Sequence, residues 1–332
     1  MQPVGLADIL SSYEGTRILV SGGSGYLAAN LVQALLPMRC QLIRLSRNPG
    51  KLPPLSGAAQ VEDFGGDVRQ LATWKQAVAG VQFIFHFAAQ TSVPIAAADP
   101  EADLGANVLP MLQLLEACRQ LNTCPVVLFA GTATQAGLTP QLPVDETHLD
   151  SPLTVYDLHK LAAENYLKHY VAQGLIRGAS LRLANVYGPG PRSSSSDRGI
   201  LNTMIRRALA GESLTLYGPG QFVRDYVFVA DVIRAFLMAG THPDALAGRH
   251  FVIGSGTGHT LAAAFNLVAQ RAAHKTGRQV RITHVTPTSP LPPIEERNFV
   301  ANTEAFRRVS GWIPACDLSS GIDRTIESYI SI

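Results

Sequence analysis

The sequence predicts an α/β protein: a doubly wound parallel sheet with a smaller C-terminal substrate lobe. Three observations predict it. Short apolar runs alternate with longer helical patterns through the first half of the chain. The runs are apolar at nearly every position, as strands covered on both faces must be. A glycine-rich turn, "SGGSGY", joins the first run to the first helical pattern.

The elements follow in order. "TRILVSG" at 16–22 reads as a buried strand. "GYLAANLVQALL" reads as a helix, with apolar residues at 27, 31, 32, 35 and 36. "CQLIRLS" is a second strand, and "VQFIFHFAA" at 81–89 is another, rich in β-branched and aromatic residues. "DLGANVLPMLQLLEACRQL" is a helix interrupted near Pro110. "PVVLFAG" is a strand, "VYDLHKLAAENYLKHYVAQG" a long helix closed by Gly174, and "IRGASLRLANV" the next strand. Repeated strand–helix–strand units with right-handed crossovers give the doubly wound architecture.

The texture changes after about residue 185. "YGPGPRSSSSDRG", "YGPGQFVRDY" and the proline-rich "TPTSPLPPIEER" are turn-rich or irregular. The expected division is 1–184 for a nucleotide-binding domain and 185–332 for a smaller lobe. A segment of about 226–254, "YVFVADVIRAFLMAG" to "RHFVIGSG", is expected to return to the main sheet.

Composition excludes several classes. The 332 residues are 46% hydrophobic and 16% charged, which suits a buried globular core. A net charge of +2 without a basic run gives no nucleic-acid footprint. No apolar stretch is long enough to span a membrane, and "MQPVGLADILSSYEG" lacks the pattern of a secretory signal. Cys40, Cys118, Cys124 and Cys316 form no CxxC pair and read as reduced thiols of a cytoplasmic protein. The nine histidines show no HExxH or paired spacing, so no metal is expected.

The glycine turn carries the first chemistry. Gly22, Gly23 and Gly25 follow a strand and open a helix, and Gly23, Gly25 and Ala28 fit G-x-G-x-x-A. Such glycines let backbone N–H groups approach a pyrophosphate on the positive end of a helix. This is the Rossmann dinucleotide turn. About 20 residues on, an Asp or Glu would bind the ribose hydroxyl of NAD. Ser46 and Arg47 stand there instead, and a hydroxyl and a guanidinium suit a 2′-phosphate. NADP(H) is therefore favoured over NAD, while Arg44 or Arg47 as an ordinary solvated charge is the plainer reading. Asp67 and Val68, in "GGDVRQ", follow a third strand; Asp67 suits either the adenine amino group or a helix cap.

Tyr156 and Lys160, in "YDLHK", lie i, i+4 on one face of a helix. A nearby cation lowers a tyrosine's pKa, and the lysine can also hold the nicotinamide ribose while the tyrosine exchanges a proton with substrate oxygen. The bland alternative is a surface pair on an amphipathic helix. His159 is read as a helix-surface residue, and "GSGTGHT" as a strand-to-helix turn capped by Thr260.

The chain resembles the extended short-chain dehydrogenases/reductases of the nucleotide-sugar epimerase, dehydratase and reductase group. The motifs that carry the resemblance are "GGSGYLA", "GDV" at 66–68, "HFAAQ" at 86–90, Asn107-Val108, "YDLHK", "NVYGPG" at 185–190 and "RDYVFVADV" at 224–232. They stand in the family's order over nearly the whole chain. The resemblance implies dinucleotide contacts from Tyr26 and Leu27 at the turn, from Ala88, Ala89 and Gln90 after the "HF" strand, and from Asn107. It makes Thr132, Tyr156 and Lys160 the catalytic set, with Thr132 bonding the reacting sugar oxygen. It places substrate contacts at Thr91 and Thr134, diphosphate contacts at Asn185 and Arg224, and the nucleotide base against Thr215 and Tyr217.

The chain also departs from the family. Many members read Thr-Asp-Glu-Val-Tyr-Gly where this chain reads Thr132, Ala133, Thr134, Gln135, Ala136, Gly137. The acids that dehydratases and decarboxylating members use are missing. What remains suffices for hydride transfer at C4, in a ketoreductase or an epimerase. Gln135 and Ala136 are expected to reshape the pocket wall. A late arginine of the family is replaced by Pro292, with Glu295 near the Asp position and Arg192 or Arg297 as compensating cations. Ser46 and Arg47 tilt the expectation to an NADPH-dependent 4-ketoreductase. A 4-epimerase with retained NAD is the alternative, and a non-catalytic dinucleotide sensor the remote one. The family also implies a homodimer through the helices near 103–121 and 155–173.

Overall fold

The computed structural model describes residues 6–191, 199–286 and 292–331. Arg192, with most of the serine-rich loop, and Pro287–Leu291 of the proline-rich segment lie outside the described residues.

The elements are α1 (Leu6–Ser11), β1 (Arg17–Ser21), α2 (Tyr26–Leu35), β2 (Gln41–Ser46), β3 (Gln60–Gly65), α3 (Leu71–Ala77), β4 (Phe83–His86), α4 (Val93–Ala98), α5 (Pro100–Asn107), α6 (Leu109–Gln120) and β5 (Val126–Thr132). A 3₁₀ turn spans Ala133–Ala136. There follow α7 (Val155–Ala172), β6 (Arg177–Leu183), β7 (Asn185–Tyr187), α8 (Ile200–Leu209), β8 (Leu214–Tyr217), β9 (Val223–Phe228), α9 (Val229–Thr241), α10 (Pro243–Leu246), β10 (His250–Ile253), β11 (Gly258–Thr260), α11 (Leu261–Thr276), β12 (Ile282–Val285), α12 (Glu304–Ser310) and α13 (Leu318–Ile330).

The main sheet has seven strands in the order β10-β6-β5-β4-β1-β2-β3, all parallel. Strand order reverses between β1 and β4, which opens a crevice at the carboxyl ends of these strands. The apolar runs explain themselves by period 2. Ile18 and Val20 of β1 and Val126 and Leu128 of β5 pack on one face with Phe236, Phe251 and Trp312. Leu19, Val127 and Phe129 pack on the other with Trp74, Met111 and Leu167. The expected helix 103–121 is two helices: α5 ends at Asn107 and α6 starts at Leu109, with Pro110 in its first turn, where a missing N–H costs nothing.

The returning segment divides. β10 joins the main sheet beside β6, and α9 packs on β5 and β6. β9 does not join; it forms a second sheet, β11-β9-β7, with β7 parallel and β11 antiparallel to it. A third pair, β12-β8, packs with α8, α11 and α13 around Leu201, Ile205, Phe265 and Ile322.

Asp225 of β9 ties these parts together. Its buried carboxylate accepts from Ser255 N and Oγ, each at 2.7 Å, from Gly256 N at 2.9 Å and from Ala301 N at 3.0 Å. Burial raises its pKa, and these donors oppose the rise. Removing the acceptor strands buried N–H groups. Asp225→Ala is expected to lower the unfolding free energy by about 3 kcal/mol, measured by chemical denaturation. A loss below about 1 kcal/mol would show that the 254–256 and 301 backbones are held by other contacts.

Candidate active site

The glycine turn has the shape a dinucleotide needs. Gly22 has φ +72°, and a methyl group on it would lie 2.8 Å from Ala88 N. Only glycine fits both constraints. Gly25 N donates to Gly22 O at 2.7 Å and makes Gly25 the N-cap of α2, where it offers no side-chain acceptor. The N–H groups of the first helical turn, at Tyr26 and Leu27, therefore point to a position suited to phosphate. Ala28 is fully buried against the sheet. The Tyr26 hydroxyl donates to Gly188 O at 2.9 Å, and Asn30 Nδ2 to Pro189 O at 3.2 Å.

At the end of β2 the two arginines separate. Arg44 is buried and paired bidentately with Asp63, at 2.6 and 2.7 Å. It is neither a solvated charge nor available to a 2′-phosphate. Arg47 is exposed, and Ser46 Oγ accepts from Asn48 N at 3.2 Å. Asp67 does not cap α3, whose N-cap is Gln70; it binds the backbone and guanidinium of Arg69, which hold its carboxyl below the usual range. Val68 O accepts from the buried Trp74 indole at 2.7 Å.

Ala88 and Ala89 follow β4 in the loop against Gly22, with Thr91 half-buried beyond them. Gln90 and Asn107 meet at one carboxylate. Asp103 Oδ1 accepts from Gln90 Nε2 at 2.7 Å and Asn107 Nδ2 at 2.9 Å, and Asn107 Nδ2 also reaches Gln90 O at 3.0 Å. Asp103 Oδ2 lies 2.7 Å from His159 Nδ1. His159 is thus buried rather than on the helix surface.

Tyr156 and Lys160 are buried on the inner face of α7, which excludes the surface-pair reading. Lys160 Nζ lies 4.0 Å over the Phe129 ring. Burial lowers its pKa to about 7, against the opposing charges of Glu164 and Asp103. β5 ends at Thr132, which caps the 3₁₀ turn: Thr134 N donates to Thr132 Oγ1 at 3.4 Å and Thr132 N to Gln135 Oε1 at 2.8 Å. The turn packs against α7.

The stretch without acids receives two from α7. Thr134 Oγ1 donates to Asp157, and Gln135 Nε2 donates to Glu164 Oε2 at 3.0 Å. Gln135 is fully buried and faces Glu164, so it is not a pocket wall; Ala136 is buried beside it. Glu164 also takes Arg182 Nε at 3.0 Å and Lys168 Nζ at 2.6 Å, and Arg182 binds Asp150. Burial would raise the Glu164 pKa, but Arg182 and Lys168 outweigh it and hold it at about 2.

On the lobe side, Asn185 is half-buried at the start of β7. Arg224 is buried, and its guanidinium donates to Glu295 O at 2.6 Å and to Arg297 O, with the Glu295 carboxylate at 3.9 Å. Arg224 and Glu295 are thus brought together, with most of the guanidinium engaged by the late loop. Arg297 donates to Ile294 O at 2.7 Å. Thr215 is half-buried and Tyr217 exposed on β8, beside β12. Asp103, Asp157, Glu164 and Arg182 were not singled out from the sequence. Signals existed: Thr154-x-x-Asp157 opens α7 as a capping pattern, Glu164 follows Lys160 by four, and Arg182 is a charge inside an apolar strand.

A strand-end glycine turn, a buried Tyr–Lys pair and a capped Thr at the crevice of a doubly wound sheet define an NAD(P)-dependent enzyme of the extended short-chain dehydrogenase/reductase type. The chain belongs to the NAD dependent epimerase/dehydratase family, whose model matches residues 18–254. It is 30% identical over 325 residues to the UDP-glucose 4-epimerase of Mycolicibacterium smegmatis, covering 94% of this chain and 98% of that one. Among solved structures it is similar to the UDP-glucose 4-epimerase of Thermotoga maritima with UDP-glucose (26% identity, TM-score 0.84, covering 95% and 99%). It is also similar to the Thermus thermophilus UDP-glucose 4-epimerase in complex with NAD (28% identity, TM-score 0.80, covering 95% and 99%).

His86 beneath the site gives a pH test. Ser21 Oγ accepts from Phe87 N at 3.1 Å and Ala88 N at 3.2 Å, so its own proton goes to His86 Nδ1, 2.7 Å away. The ring is neutral. Burial, then the Lys160 charge, lowers its pKa from 6.5 to about 3. The unfolded chain therefore binds a proton that the fold refuses, and stability falls as pH drops from 6.5 toward 3. His250, lowered to about 4, adds to the same fall. His86→Gln should reduce the slope of stability against pH between about 6.5 and 5 by up to about 1.4 kcal/mol per pH unit. An unchanged slope in urea titrations would mean that His86 is protonated in the fold.

Proposed function

We propose that the protein is a nucleotide-sugar 4-epimerase acting on a UDP-hexose of the UDP-glucose type. The observation that carries the reading is the Thr132–Tyr156–Lys160 set in a chain that aligns end to end with UDP-glucose 4-epimerases. This favours the epimerase over the ketoreductase expected from Ser46 and Arg47. The turn at Gly22–Gly25 and the uncapped start of α2 fit a dinucleotide. A bound dinucleotide would supply reversible hydride transfer at sugar C4. Tyr156 exchanges the C4 hydroxyl proton, Lys160 orients the ribose and tunes Tyr156, and Thr132 bonds the C4 oxygen. Asn185 and Arg224 take the diphosphate, and Thr215 and Tyr217 the base.

NAD suits this reading, since an epimerase returns its hydride within one turnover. The absence of a carboxylate at Ser46 and Arg47 supports the second reading, an NADPH-dependent 4-ketoreductase. We also propose a cytoplasmic homodimer. The cysteines are free thiols, and among the described residues no helix is long and apolar enough to cross a membrane. α5 and α7 pack together and expose Leu104, Leu158 and Tyr166, which a second copy would cover.

The purified protein is expected to carry NAD through dialysis and to convert UDP-glucose to UDP-galactose. Tyr156→Phe should lower kcat by roughly 10²- to 10⁴-fold. Empty sites that prefer NADPH, with reduction of a 4-keto sugar nucleotide, would replace the epimerase by the ketoreductase. Leu158→Glu should turn the dimer into a monomer in sedimentation; an unchanged oligomer would rule out the α5/α7 face.

A further inference from the structure

Asp157 has no exposed surface and follows Tyr156 in the first turn of α7. One carboxylate oxygen has a plain structural task. Thr154 caps the helix, accepting from Asp157 N at 3.2 Å and donating to Asp157 Oδ2 at 2.7 Å. The other oxygen, Oδ1, takes the hydroxyl proton of Thr134, which a helix cap does not require.

With Asp157 ionised, proton counting fixes a direction. A threonine hydroxyl carries one hydrogen. Thr134 has given its hydrogen to Asp157, so at the 2.8 Å contact between Thr134 Oγ1 and Thr132 Oγ1 it can only accept. The hydrogen of Thr132 therefore points at Thr134. Thr132 faces the sugar as an acceptor for the C4 hydroxyl, and three oxygens in line lead from that hydroxyl to a buried carboxylate.

We propose that Thr132, Thr134 and Asp157 form a proton relay from the sugar C4 hydroxyl, a second exit beside Tyr156. The inference rests on the C4 oxidoreduction proposed above. As the C4 hydrogen leaves as hydride to the nicotinamide, the hydroxyl proton passes to Thr132 Oγ1. The Thr132 proton passes to Thr134, and the Thr134 proton to Asp157 Oδ1. One O–H bond breaks and one forms at each threonine, the sugar becomes a ketone, and Asp157 becomes a neutral acid. Thr132 is then the donor to the ketone oxygen. Return of the hydride runs the relay backward.

The test uses Tyr156→Phe as the background, since that variant keeps only the relay. Tyr156→Phe is expected to retain slow epimerisation of UDP-glucose. Adding Thr134→Val should cut this residual kcat at least about tenfold with KM within about twofold, as for loss of a general acid–base path. Adding Thr134→Ser instead should preserve the residual rate. Thr134→Val leaves the Thr154–Asp157 cap in place, so a structural role alone does not produce this pattern. Equal residual rates with and without Thr134→Val, or no residual rate in Tyr156→Phe, would overturn the relay. A neutron structure of the deuterated, unliganded protein decides the geometry without any substrate. The deuteron of Thr134 is expected toward Asp157 and that of Thr132 toward Thr134; the reverse order between the threonines overturns the proposal. Wild-type protein inactive on UDP-glucose, with the expected deuterons in place, would reject the substrate reading and keep the relay.

Discussion

The catalytic corner depends on one buried carboxylate. Glu164 has no exposed surface, yet it is ionised, because Arg182 of β6 and Lys168 of its own helix supply the charge that burial removes. Through Gln135 it also holds the turn after β5. Three elements thus meet at one group: the strand that ends at Thr132, the helix that bears Tyr156 and Lys160, and the neighbouring strand. An apolar contact would fill the same volume but would tolerate sliding. A carboxylate with several directed donors does not, since each displaced donor would be stranded in a dry interior. Breaking such a group by losing one partner costs about 3–5 kcal/mol, so the network specifies the relative position of α7 and β5 more than it adds net stability.

That constraint explains the composition of "AGTATQAG". Thr132, Thr134 and Gln135 look neutral and interchangeable in sequence, but the turn folds their polar ends onto a helix that carries the acids. The charges at this corner lie on α7, not on the strand-end turn. A carboxylate on the turn itself would face Asp157 or Glu164 at hydrogen-bonding distance, and like charges there would force one of them to take up a proton.

Much of the fold was legible because it is written in local rules. Apolar runs of strand length, the glycine turn and Pro110 each constrain a short segment, and the crossover rule orders the strands. The place of β9 was not legible: "VRDYVF" is buried like a core strand despite Arg224 and Asp225, and only its pairing with β7 and β11 places it in the second sheet. At the site, motif residues were legible and their partners were not. Arg44 read as an ordinary solvated charge until Asp63, 19 residues later, was seen to bind it in the interior. His159 looked like a surface residue until Asp103 was brought against it from α5. Pairings of this kind join residues far apart in sequence, and no periodicity reports them.

The Arg44–Asp63 pair also bears on how a dinucleotide would be held. With Arg44 committed to Asp63, the cationic feature remaining at the end of β2 is Arg47, which is exposed and so weakly directional. The proposed grip on a dinucleotide then falls to the backbone N–H groups of Tyr26 and Leu27 at the start of α2. Tyr26 and Asn30, on the first turns of α2, bond the carbonyls of Gly188 and Pro189, at the start of the loop that leads into the lobe. These bonds anchor the first turns of α2 to the segment after β7, so the positive end of the helix is fixed in place by the fold itself.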